Sequence, residues 1–449
     1  MMIVHLECYA HFLPYKSAKT ISYTYAIGPT MAMSPDFFTM SDFSLAGKTV
    51  IVRVDFNSPI NPETGEFLDD TRVRLHLPTL QELKHSKVVL LAHQSRPGKS
   101  DYTPLAQHAK VVSRLLKHDV AYVDDLLGSR AKEAVKNLKE GDFILLENVR
   151  FYAEEVSMDD WPFEKQAKSR IVKGLAPLAQ YFVNDAFAAA HRGQPSLTGF
   201  TPLIPCCAGR LMEREIVSLG KALESKEKPR VVVLGGAKFD DSIAMADNML
   251  HNGLADRILT GGAVANFYLH AAGVDIGAPA LDFLKKEAGD KYDDLMSKAQ
   301  HHLKDFKDSV VVPSDVALNE DGKRKDIKIS ELPTKYNIND IGVDSIYHYV
   351  KELAKAATVI VNGPMGVFEV DEFAMGTEEV FKAVSESKGY KVVGGGHTSA
   401  TFENMGLAGK VDHVSSGGGA CLTFLAGGAM PGINALIANR KKFASTKLP

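Results

Sequence analysis

Cysteine is scarce in this 449-residue chain: Cys8, Cys206, Cys207 and Cys421, with no C-x-x-C pair among them. That spacing speaks against a zinc ribbon and against a disulfide framework. It leaves buried, idle thiols in a reducing, cytoplasmic setting as the expectation. Charge of one sign is also missing. The net charge is −3, from 52 Lys+Arg and 55 Asp+Glu, so a general polyanion binder and a nucleic-acid partner are not expected. No apolar run approaches bilayer length, so no membrane partner is expected either. None of the C-terminal glycine clusters reads G-x-G-x-x-G, which weakens a nicotinamide dehydrogenase reading. GGAKFDDS lacks the spacing and the terminal GK[ST] of a P-loop. Low-complexity tracts and fixed-period repeats are absent.

What is present is ordinary in bulk, with 45% hydrophobic and 24% charged residues, and its length suits two domains. One pattern recurs in the C-terminal half: a short apolar run, a glycine-rich break, then a helix-like stretch. It occurs as VVVLGGAK (231–238), VIVNGPMGVFE (359–369), KVVGGGHTSA (391–400) and VDHVSSGGGA (411–420). The runs read as buried parallel strands. The glycines let backbone N–H groups approach a ligand, and the helix N-termini that follow favour negative charge. Together they predict an anion cradle for a nucleotide phosphate chain.

The N-terminal half predicts strands within 48–59, 86–98, 119–125, 142–151 and 180–192, with helical periodicity over 103–117, 129–139 and 163–179. Alternation of this kind implies βαβ units and mainly parallel sheets. The fold class expected is α/β: two Rossmann-like three-layer lobes joined by a helix hinge. The divisions are a poorly ordered extension or misassigned start (1–40), an N-lobe (41–207), an interlobe helix (208–229), a C-lobe (230–430) and a C-terminal tail (431–449), whose basic end RKKFASTKLP (440–449) reads as exposed. Segment 318–340, polar and aperiodic, reads as a surface excursion.

The N-terminal strands end in different chemistry. Asp55 and Asn57 follow the first, His93, Ser95 and Arg96 the second, Asn148 and Arg150 the fourth, and Asn184, Asp185, His191 and Arg192 the fifth. Residues just past strand C-termini face the ligand crevice of a parallel sheet. Arg72 lies in the loop after the first strand and has access to the same crevice. Any one of these arginines alone is an ordinary surface residue. Several converging, with few carboxylates, would hold a small phosphorylated or carboxylated metabolite through their planar donor forks.

These residues also stand in a known order. RVDFNSP (53–59), AHQSRP (92–97), LLENVRF (145–151), NDAFAAAHR (184–192), LGGAK (234–238), VNGPMGVFE (361–369), GGGHT (394–398) and SSGGGA (415–420) resemble the motifs of the phosphoglycerate kinase family over about 41–435. AHQSRP, AGRLMERE and GGAKFDDS are most similar to its archaeal branch. The resemblance implies two Rossmann-like lobes, one for 3-phosphoglycerate or 1,3-bisphosphoglycerate and one for Mg²⁺ with ATP or ADP. It implies a monomer that acts on these small molecules by direct transfer on lobe closure. By motif match Asp55, Asn57, Arg72, His93, Arg96, Arg150 and Arg192 would hold the glycerate substrate. Gly235, Gly236, Lys238, Asn362, Glu369, Gly395, Gly396, His397 and Thr398 would serve the nucleotide, Glu369 through the ribose. Arg72 and Lys238 would stabilise charge during transfer, and Asp241 is a candidate metal-side carboxylate. Two positions depart from the family. Ser242 stands where a second lysine is usual, and His397 where an aspartate associated with the metal-nucleotide is usual.

Overall fold

Residues 36–445 are described by the computed structural model, so the expectation for 1–35 lies outside the described residues. Six apolar runs become β1 (Thr49–Arg53), β2 (Lys87–Leu91), β3 (Val120–Val123), β4 (Phe143–Leu146), β5 (Tyr181–Asn184) and β6 (Cys206–Ala208). They form one parallel sheet in the order β3-β4-β2-β1-β5-β6. Strands covered on both faces have no reason to alternate apolar with polar, and TVIVR and FILL do not. β6 is a strand inside a segment that reads as turn-rich. Its three residues are hidden between prolines and glycine, and only pairing with β5 reveals it.

The second sheet is built likewise. β7 (Arg230–Leu234), β8 (Arg257–Thr260) and β9 (Val310–Val311) precede a small excursion. That excursion is not irregular, as its polar sequence suggests. It is a three-stranded antiparallel sheet of β10 (Asp315–Glu320), β11 (Lys323–Lys328) and β12 (Asn337–Ile341). β11, Lys-Arg-Lys-Asp-Ile-Lys, is almost wholly solvated, so it carries no apolar period to read. The chain then adds β13 (Thr358–Asn362), β14 (Tyr390–Gly394) and β15 (His413–Val414), giving a parallel order β15-β14-β13-β7-β8-β9. All four predicted glycine-rich breaks therefore lie on one sheet, at the ends of neighbouring strands.

Alternate residues of each strand enter different cores. Val50 and Val52 pack on one side of the first sheet and Ile51 on the other; Val231 and Val233 likewise face away from Val232 and Leu234. The cluster containing Ile51 and Val232 is continuous between the sheets, and the helix Arg210–Glu224 inserts Met212, Leu219 and Leu223 into it. In both sheets the strand order reverses direction, between β1 and β5 in one and between β7 and β13 in the other. Such switch points open a crevice beyond the strand ends.

The ends of the chain differ from expectation. Phe37, Phe38 and Met40 are buried, and Thr39 bridges to Ala208, so the packed fold begins before residue 41. Residues Pro431–Phe443 are a helix that returns to the first sheet. Asn439 accepts from the Cys206 N–H (2.9 Å) and donates to the carbonyls of Thr201 (2.7 Å) and Ile204 (2.8 Å). The basic character of this stretch suggested exposure, but Arg440 donates to the Phe37 carbonyl (3.0 Å) and Lys442 to that of Pro202 (2.6 Å). Cys206, Cys207 and Cys421 are buried free thiols, and burial raises all three, Cys421 to about 12.

Candidate active site

At the β1/β5 crevice a carboxylate sits among cations. Asp55 Oδ2 accepts from Arg72 at 2.7 Å, and its Oδ1 caps the Asn57 N–H at 3.1 Å. Burial alone raises this carboxyl; His93 when charged, Arg72, Arg53 and the Asn57 N–H outweigh it and hold it at about 2. Burial pushes His93 well below its ordinary value, so the ring is neutral at pH 7 and the two arginines carry the attraction. Arg53 donates to His93 Nδ1 at 3.0 Å, which fixes the ring with that nitrogen unprotonated.

Arg53 is wholly buried at the last position of β1, where it reads as part of an apolar strand. Its Nε donates to Ser196 Oγ at 2.9 Å, and Ser196 in turn donates to the buried Glu155 from Oγ (2.5 Å) and from N–H (3.0 Å). Neither Arg53 nor Glu155 was legible as a site residue. A charged residue inside a strand run gives no sign of its partner more than a hundred positions away.

The remaining cations face the same space. Arg150 is buried and donates to the Ser95 carbonyl at 2.5 Å, while Asn57 Oδ1 accepts from the Ser95 N–H at 2.7 Å. Burial, then the nearby Arg192 and Arg53, lower Arg150 to about 10. Its Nε is buried with no hydrogen-bond partner among the described residues. A desolvated guanidinium repelled by two others, with a donor unused, gains from an incoming anion. Arg192 and Arg96 likewise make no side-chain bond among the described residues; Arg192 is half-buried at the crevice and Arg96 lies exposed at its rim.

Beneath this crevice His108 donates from Nε2 to Gln94 Oε1 (3.0 Å), supporting the loop of His93, Ser95 and Arg96. Burial lowers His108 from 6.5 to about 4, outweighing the Phe56 backbone carbonyl, which favours the charged ring. Between those values the unfolded chain takes up a proton that the folded chain refuses, so stability falls as pH drops from 6.5 towards 4. That loss is about 3 kcal/mol from this group. Urea unfolding at pH 7 and pH 4.5 will show a correspondingly flatter profile in His108→Gln, which keeps a donor to Gln94 and does not titrate.

The second crevice is made of backbone. Gly235 N–H donates to the Asn362 carbonyl and Gly236 N–H to that of Pro364, both at 2.8 Å. A Cβ on Gly235 would lie 2.0 Å from the Pro364 carbonyl, and one on Gly363 (φ +92°) 2.1 Å from the Gly235 carbonyl. Only glycine permits this approach of the two loops. Helices start directly behind four strand ends, at Phe239, Gly262, Gly396 and Gly419, and none has a side-chain cap. The Gly262 helix spends its first two N–H groups on the Met365 (2.6 Å) and Gly236 (3.1 Å) carbonyls, whereas those of Gly396, His397 and Thr398 have no backbone partner among the described residues and remain available to an anion.

Individual residues divide by role. Lys238, Glu369, Gly396 and His397 are exposed around this crevice. Thr398 is turned inward, its hydroxyl accepting from the Gly363 N–H at 2.7 Å, and so fixes one loop against another. Asn362 is buried and donates to Ser242 Oγ at 3.4 Å. Ser242 is fully buried; a lysine there would carry its ammonium into the sheet end. Asp241 has no side-chain partner among the described residues, whereas Asp240 pairs with Lys291 at 3.0 Å. Burial and then the Asp240 charge raise Asp241.

A chain of buried polar contacts links the two crevices. The Asp55 N–H donates to His76 Nε2 (3.0 Å), His76 Nδ1 meets Asp185 (2.7 Å), and Asp185 caps the interlobe helix at Leu211 N–H (2.9 Å). One turn on, Glu215 accepts from His413 Nε2 (2.8 Å) of β15 and from Ser415 Oγ (2.8 Å), Ser416 N–H (2.7 Å) and Ser416 Oγ (2.6 Å) of the loop after it. Burial pushes Glu215 up, but its bonds to His413 and Ser416 prevail and lower it.

This arrangement has known relatives. The phosphoglycerate kinase family model matches residues 40–428. The chain belongs to the phosphoglycerate kinase family. It is 49% identical over 406 residues to the phosphoglycerate kinase of Methanothermobacter thermautotrophicus, covering 90% of this chain and 97% of that one. It is 45% identical over 408 residues to the enzyme of Thermoplasma volcanium, covering 91% and 99%. Among solved structures, phosphoglycerate kinase from Pyrococcus horikoshii OT3 superposes with a TM-score of 0.81 at 42% identity, covering 90% and 100%. The Coxiella burnetii enzyme gives 0.76 at 32%, covering 90% and 99%. The similarity to archaeal phosphoglycerate kinases accords with the leaning of AHQSRP and GGAKFDDS. Within the family frame, Arg53, Glu155, His76, Asp185 and the Glu215 cluster are the residues that motif reading left unassigned.

Proposed function

We propose that this chain catalyses reversible phosphoryl transfer between 1,3-bisphosphoglycerate and ADP, giving 3-phosphoglycerate and ATP. The observation that carries the reading is Arg150, a buried, mutually repelled guanidinium with an idle Nε, in a crevice shared with Arg53, Arg72 and Arg192. Such a site takes a small polyanion. The capless helix N-termini of the second crevice suit a nucleotide phosphate chain. In the ATP-consuming direction the nucleophile is a carboxylate already ionised at neutral pH, so no general base is needed. Catalysis then rests on in-line alignment and on charge stabilisation by Arg72 and Lys238.

Asp241, an unpaired oxygen donor whose neutral form is favoured by Asp240, fits a hard cation, and it would hold the Mg²⁺ that accompanies the nucleotide. When bound, that ion neutralises phosphate charge. His397, an imidazole, is not a donor that Mg²⁺ prefers.

With ligands on different lobes, transfer requires closure, and Glu215 is the grip of the interlobe helix on the nucleotide lobe. Glu215→Ala leaves four donors without their acceptor. We expect a loss of roughly 3 kcal/mol in stability, and a fall in kcat that exceeds any change in either KM. Equal changes in kcat and both KM values would remove the closure role. The reaction itself is tested by ATP-dependent turnover of 3-phosphoglycerate, coupled through glyceraldehyde-3-phosphate dehydrogenase to NADH loss. Retained ATP binding without turnover would redirect the reading to another phosphoryl acceptor. No described helix is long and apolar enough to cross a membrane.

A further inference from the structure

The helix Phe239–His251 begins at the nucleotide crevice and ends far from it, against the helix Tyr292–Asp305. Its last turn carries Asp247 and His251, four residues apart and so on one face. His302 of the neighbouring helix reaches them. Asp247 Oδ1 lies 2.9 Å from His302 Nε2 and 3.3 Å from His251 Nδ1, which also donates to the Asp247 carbonyl at 2.9 Å, a bond that a metal would displace; one ligand atom from each of the three residues falls within 4.8 Å of the others. Ligand atoms around a tetrahedral zinc, each about 2.0–2.2 Å from the ion, are separated by roughly 3.4 Å, close to the two distances measured from Asp247.

The cluster is oriented as well as assembled. The His302 ring is fully buried, and its other nitrogen, Nδ1, is held by Tyr268 Oη at 2.9 Å. A second-shell bond of that type fixes the tautomer and aim of a metal-binding imidazole. His251 is half-exposed and stacks on His301, with ring centroids 5.4 Å apart and planes at 15°. The open side of His251 leaves room for water as a further ligand. No role in phosphoryl transfer falls to any of these residues.

We propose that Asp247, His251 and His302 form a site for an imidazole-preferring divalent metal such as Zn²⁺, distinct from the Mg²⁺ of the nucleotide. Two imidazoles and one carboxylate favour zinc, copper or nickel over the hard, oxygen-seeking magnesium. A bound ion replaces the proton shared between His302 and Asp247 and clamps the far end of the nucleotide-site helix to its neighbour.

The test is titration of the EDTA-treated full chain with Zn²⁺ by calorimetry, and with Co²⁺ for its visible ligand-field bands. The His251→Ala and Asp247→Asn variants lie on the partly exposed rim, so their folding is secure. We expect each to lose one equivalent relative to the parent, or to weaken it at least about 10-fold. Comparison with the parent separates this equivalent from ions held by Cys8 or its neighbouring histidines. Tyr268→Phe keeps all three ligands and should weaken binding about 10- to 100-fold, an effect that simple helix packing would not produce. Turnover with Mg-ATP in metal-depleted buffer stays unchanged in His251→Ala. Zinc stoichiometry and affinity identical in parent and His251→Ala would overturn the site, as would a parent that takes up no zinc.

Discussion

Arg72→Ala is expected to lower kcat/KM for 3-phosphoglycerate roughly 10²- to 10³-fold, the cost of removing one preorganised charge-stabilising donor. Arg72 is held at the crevice by Asp55 at 2.7 Å, and its side chain keeps 38% of its exposure, so it can meet substrate without first breaking the core. The fold should survive for the same reason. Asp55, relieved of one cation, should titrate higher than its present value of about 2. Arg72→Lys keeps the charge but loses the planar fork, and should recover only part of the rate. The coupled assay measures all three proteins. A loss below tenfold in Arg72→Ala, with normal unfolding, would take Arg72 out of the reaction.

The second large effect is expected on the opposite lobe. Lys238 is exposed at the start of the Phe239–His251 helix, with no side-chain partner among the described residues. It is thus a free point charge beside uncapped N–H groups, an arrangement that receives phosphate. Lys238→Ala should reduce kcat/KM for ATP on the order of 10²-fold, while 3-phosphoglycerate binding stays as it was. Thermal unfolding should not move, because nothing in the fold rests on this side chain. Asp241 is drawn downward by Lys238 and should rise further without it. Turnover that stays at parental level with saturating and with limiting ATP would place Lys238 outside the transfer path.

The ends of strands were legible because their chemistry is local. Asp55, His93, Arg150 and Arg192 each follow an apolar run, and a parallel sheet places such positions on one side. The glycine breaks were legible for the same reason, and Gly235 and Gly363 meet where the strand order predicts a crevice. Arg53 was not legible. Its partners Ser196 and Glu155 come from two short helices, Pro195–Thr198 and Glu154–Ser157, more than a hundred residues downstream, and within VIVRV it resembles a strand residue. Thr398 and Ser242 were legible as positions but not as roles. Their inward orientation depends on loops that only assemble when β7, β13 and β14 pair. β11 and β6 failed for opposite reasons, one too polar and one too short to show a period.

From sequence alone came the α/β class, the family and the charged residues at the strand ends of the two crevices, because strand periodicity and strand-end chemistry are written within a few neighbouring positions. Tertiary structure decided what joins distant positions. It seated the Pro431–Phe443 helix on the first sheet through Asn439, buried Phe37 and Phe38, and set Glu215 against Ser415 and Ser416, two hundred residues away. Buried polar groups must find partners wherever the fold supplies them, and no local pattern records which partner that will be.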